Sequence, residues 1–146
     1  MSKNLKIFAI LLLINITAAM AQNTQSSLQF ALNTKQFKEV IKEQSNNSKK
    51  YLPVVLATGR RVSLDLKLTA FNERVLVVDN KENSELVRNE GHLPVELSSV
   101  FISETRASYL LFFKEAKIRI KLRKVNGKWT LKSFKTKNRK SYSWFF

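Results

Sequence analysis

Apolar and polar residues alternate most regularly in the last third of the chain. Ala116, Ile118, Ile120 and Leu122 share one parity with Trp129 and Leu131 on the return segment. The opposite parity holds Lys117, Arg119, Lys121 and Arg123, with Lys128 and Lys132 following. Asn126-Gly127 stands between the two runs. A two-residue type I′ loop needs positive φ at both central positions, which Asn-Gly supplies. The pattern predicts a hairpin of 116–125 and 128–137 preceded by a strand at Tyr109–Phe113, with Val125 facing Lys128, Arg123 facing Thr130 and Leu122 facing Leu131. Alternation loses phase at Phe134, and a β-bulge near Lys132-Ser133 would return that ring to the apolar side.

Upstream, the 3–4 spacing of Leu28, Phe30, Ala31, Phe37, Val40 and Ile41 predicts one unbroken helix over 28–44. Ser26 or Ser27 is the candidate cap, and Ser45–Ser48 the stop. Tyr51–Thr58 reads as a strand that Pro53 confines to an edge or a strand start. Val62–Thr69 alternates cleanly, with Val62, Leu64, Leu66 and Leu68 inward, and Arg74–Val78 follows as a third strand. Short connections between them favour an antiparallel meander. Asp79–Gly91 reads as a loop with one helical turn at 84–89, and Val95–Ile102, whose apolar positions fit neither period well, as a short helix or a strand, with strand favoured.

The first 21 residues have a different character. Lys3 and Lys6 precede an apolar run at Ile7–Ile14, and Ala19-Met20-Ala21 offers small residues at a cleavage site before Gln22. This is the layout of a secretory signal peptide, with an uncleaved anchor as the alternative. The apolar run is shorter than the roughly 20 residues a membrane span requires. Expected organisation is a signal peptide at 1–21, a flexible polar leader at 22–27 and a single domain at 28–146. The expected location is periplasmic or extracellular, in a bacterial envelope, with no transmembrane span in the mature chain.

Charge sharpens the picture of the hairpin. The chain carries a formal +15 and no cysteine. Between Lys114 and Lys140, nine Lys and three Arg stand against Glu115 alone, a local +11. A solvated outer sheet face would mix acids with bases, whereas like charges opposed across strands cost stability. Lys117, Arg119, Lys121, Arg123, Lys128 and Lys132 are therefore candidate contacts for an anionic surface, a glycan or an acidic protein. Nucleic acid is the less favoured polyanion, given export. Tyr142, Trp144, Phe145 and Phe146 close the chain; they could complete the core or form a partner or membrane contact.

Catalytic chemistry finds little material here. Without cysteine there is no thiol nucleophile or thiolate metal site, and His92 is the single histidine. Asp65 and Asp79 are the only aspartates, and three glycines leave no phosphate loop. The expectation is a non-enzyme with no cofactor and no metal.

One helix followed by strands and a final hairpin with Val125-Asn-Gly-Lys-Trp129-Thr-Leu131 resembles the cystatin-like and nuclear-transport-factor-like group of small exported bacterial α+β proteins. The residue match is confined to 124–134. Members of the transport-factor type usually have two or three helices before most of their strands, and the cavity Asp and His residues of the group's enzymes have no counterparts here. The resemblance implies a helix packed on a curved antiparallel sheet of about five strands, and a tendency to bind rather than an activity. Two other functions stay open: a small-ligand pocket between helix and sheet, lined by residues such as Phe30, Phe37, Leu66 and Ile120, or an assembly subunit docking through its aromatic C-terminus.

Overall fold

A computed structural model describes residues 3–45, 53–80, 91–113 and 115–138. The fold is α+β, with two helices and a mixed sheet of seven strands in place of about five antiparallel ones. Helix α1 spans Lys3–Leu32 and α2 spans Lys35–Gln44. The strands are β1 Val54–Ala57, β2 Leu68–Ala70, β3 Glu73–Val78, β4 Leu93–Ile102, β5 Arg106–Phe112, β6 Ala116–Val125 and β7 Lys128–Asn138. Their order across the sheet is β2-β3-β1-β4-β5-β6-β7.

The single helix expected over 28–44 is divided at Asn33-Thr34. Thr34 adopts extended φ/ψ and its hydroxyl accepts from the Phe37 amide at 3.3 Å, capping α2. A threonine cap is worth about 1 kcal/mol, more than the modest helix propensity the residue would contribute inside. Asn33 turns its side chain away to β2. The buried face of α1 is Leu28, Ala31 and Leu32; Phe30, expected inward, is 37% exposed.

Gln22–Ser27, expected as a flexible leader, is helical and belongs to α1. Ser27 is fully buried and its hydroxyl meets the Tyr109 hydroxyl at 2.5 Å. Trp129 Nε1 donates to Ser26 Oγ at 3.0 Å, and Lys124 Nζ donates to Asn23 Oδ1 at 2.8 Å. Toward the N-terminus, residues 5–22 are exposed. Because α1 continues unbroken to Leu32, it is long and apolar enough to cross a membrane, a property that an N-terminal signal sequence shares.

β1 is central, not an edge: it pairs in parallel with β3 on one side and β4 on the other. All four residues are buried, and a strand covered on both faces is uniformly apolar rather than alternating. The meander is thereby replaced by a connection that passes through β2 before β3 returns beside β1. Pro53 precedes the strand, and its carbonyl accepts from the Leu93 amide at 2.8 Å. Residues 62–67 are not strand, despite their alternation. Leu64 is 51% exposed, and the Asp65 amide donates to Ser63 Oγ at 3.2 Å, a local turn that competes with extended pairing.

The free edge of β2 is covered by amide side chains of α1 and of Asn33, the residue that follows it. Gln25 bonds both the carbonyl and the amide of Lys67. Gln29 donates to the Thr69 carbonyl and accepts from the Thr69 amide, each at 2.9 Å. Asn33 donates to the Thr69 carbonyl at 2.7 Å and accepts from the Phe71 amide at 2.9 Å. Four-residue spacing puts the three amides on one helix stripe, where they stand in for a missing strand.

The core lies between the helices and the inward residues of the sheet. Phe37, Tyr109, Leu111, Ile118 and Ile120 have no exposure, and the Phe37 and Phe113 rings meet at 5.9 Å. The helical turn expected at 84–89 and the aromatic residues 142–146 lie outside the described residues.

Candidate anion-binding face

Asn126 and Gly127 both have positive φ (49° and 75°), and the β6–β7 register follows from that loop. Val125 faces Lys128, Arg123 faces Thr130 and Leu122 faces Leu131. The pairing then skips a residue: Lys121 faces Ser133, not Lys132. Lys132 is the extra residue of a bulge, and Phe134 pairs with Ile120 and packs against the core. A one-residue shift reverses the facing of everything beyond it. Lys135 and Lys137 thus share the outer face with Arg119 and Lys117, their direct partners.

The sequence pattern alone marks Lys132 and does not mark these two lysines as contacts. The signal was available: once Phe134 turns inward, every odd-numbered residue after it turns outward. Of the residues singled out, Lys117, Arg119, Lys121 and Arg123 line β6, Lys128 sits at the turn and Lys132 at the bulge.

Three directly opposed like-charge pairs result: Lys117 with Lys137, Arg119 with Lys135, and Arg106 with Arg123. Directly opposed positions have Cβ atoms about 5 Å apart. Strands β5, β6 and β7 contain no Asp or Glu. Among the described residues, the ion pairs are Arg60–Asp79 and Lys42–Glu39, both away from this face. A recess of about 190 Å³ is lined by Lys117, Arg119, Lys135 and Lys137.

The neighbouring strands complete the face with apolar and polar groups in alternation. Across β4, β5, β6 and β7, one row reads Glu96, Phe112, Lys117, Lys137 and the next reads Ser99, Leu110, Arg119, Lys135. A third reads Phe101, Ser108, Lys121, Ser133. Phe101 is 58% exposed, and Lys117 Nζ lies 5.6 Å from the centre of the Phe112 ring. On β4–β5 the outer face therefore mixes Phe101, Leu110 and Phe112 with Glu96, Ser99, Ser108 and Arg106, whereas the outer positions of β6–β7 are mostly cationic.

Elsewhere, Phe37 and Ile120 are buried in the core, Leu66 packs at its margin, and Phe30 borders an open groove beside Met20, Ile102 and Trp129. These four do not line a common cavity. His92 is half-buried with Nδ1 lacking a hydrogen-bond partner among the described residues. No group of three or more His, Asp or Glu side chains among those residues could hold a metal ion. Comparison with known protein families, curated proteins and solved structures finds no match for the chain.

Proposed function

We propose that this chain is an exported, non-catalytic binding module whose basic outer face engages an anionic surface or partner in the envelope. One observation carries the reading: like charges oppose one another in three cross-strand pairs on strands that contain no carboxylate. Each such pair costs folding free energy. The cations gathered on one face also create a field that draws in a polyanion over about a Debye length, and that bound anion offsets the repulsion. Lys117, Arg119, Lys121 and Arg123, with Lys135 and Lys137, supply the attraction, and Lys128 and Lys132 extend it. The aromatic residues Tyr142, Trp144, Phe145 and Phe146 are proposed to add contact area at the end of β7. Export rests on the apolar N-terminal helix, which is compatible with a signal sequence.

The test is elution from immobilised heparin in a salt gradient. Lys121→Glu with Arg123→Glu is expected to lower the salt needed for elution well beyond the shift of a variant with the same net charge altered on α2. Equal shifts in the two variants would contradict the proposal.

A further inference from the structure

Resting on that reading, we infer that the anion is the phosphate of a lipid surface, and that the sheet lies on the membrane by its outer face. A soluble glycan or acidic protein would call for cations with polar surroundings. Here the cations are bordered by three apolar side chains, Phe101, Leu110 and Phe112, set among Glu96, Ser99 and Ser108. Phe101 and Leu110 lie in the same cross-strand rows as Lys121 and Arg119, and Phe112 in that of Lys117. A surface with that juxtaposition suits the boundary between headgroups and acyl chains, where charge meets phosphate and rings enter the hydrocarbon edge. The recess among Lys117, Arg119, Lys135 and Lys137 would take a phosphate between two opposed cation pairs. An oxyanion seated there would form charge-assisted hydrogen bonds with cations of both pairs and so relieve their repulsion. Phe101, 58% exposed and in the same row as Lys121, is the proposed anchor.

The chain lacks cysteine, so a Phe101→Cys variant of the full chain accepts a single environment-sensitive fluorophore. The apolar segment of α1 is present in every variant, so differences between variants report the sheet face. Vesicles of phosphatidylglycerol with phosphatidylcholine should shift the probe to the blue, and pure phosphatidylcholine vesicles should not. Each cation near an anionic surface is worth about fivefold in partitioning. Arg119→Glu with Lys135→Glu in the labelled chain should therefore weaken the lipid dependence by about 20-fold or more. Heparin retention of the same proteins separates the two claims. Retention with a probe silent toward every vesicle overturns the lipid assignment and leaves the polyanion reading standing. A blue shift that is equal on neutral vesicles, or indifferent to the charge reversals, also overturns it. Loss of both retention and vesicle response removes both claims.

Discussion

At the residue scale, Tyr109 shows how a polar group is held in an apolar interior. Its ring fills the core and its hydroxyl meets Ser27. Burial pushes its pKa up to about 12 from 10, with the Ser27 hydrogen bond opposing the shift. The unfolded chain therefore releases this proton at lower pH than the folded chain does. Tyr109's contribution to stability is complete below pH 10, falls by roughly 1.4 kcal/mol per unit as pH rises from 10 to 12, and levels off above. Urea denaturation at successive pH values should show this fall, and Tyr109→Phe should flatten it. Neither Tyr109 nor Ser27 could be paired from sequence, because 82 residues separate them.

At the element scale, what was legible depended on whether a signal was local. Asn126-Gly127 imposed the turn, the turn imposed the register, and the register required a bulge to keep Phe134 inward. Each step needed only neighbouring residues. Pro53 does mark the start of β1, but Val54–Ala57 is apolar at every position, and such a run does not reveal a central strand paired in parallel on both sides. Val62–Lys67 was misread in the opposite sense: Ser63 and Asp65 satisfy each other locally, so alternation there has no partner strand. Two predictions belong here. Deleting Lys132 removes the bulge while preserving the Lys121–Ser133 and Ile120–Phe134 pairings, so it should change stability by less than about 1 kcal/mol. An inserted residue beside it also restores alternation but slides Phe134 from Ile120 to Ile118 and shifts every pairing beyond it, so it should cost more in the same denaturation assay. Gln29→Ala with Asn33→Ala uncovers the β2 edge, and should lower stability by about 1–2 kcal/mol and promote concentration-dependent association in light scattering.

At the scale of the whole molecule, the sheet has two faces with separate tasks. The inner face, with α1 and α2, holds the chain together without disulfides. The outer face of β5–β7 contributes repulsion, which is why it reads as a surface kept for a partner. Sequence marked the basic stripe on β6, because alternation and charge coincide there. It missed Lys135, Lys137 and the placing of Phe101, Leu110 and Phe112 beside the cations, because those depend on the bulge and on strand order. The most direct test of the account is the salt concentration at which the full chain leaves immobilised heparin, with Lys135→Glu/Lys137→Glu set against Lys35→Glu/Lys67→Glu. The two double variants carry the same net charge. The account predicts that reversal at 135 and 137 lowers the eluting salt concentration markedly, while reversal at 35 and 67 lowers it only slightly. Equal elution of the two would contradict it.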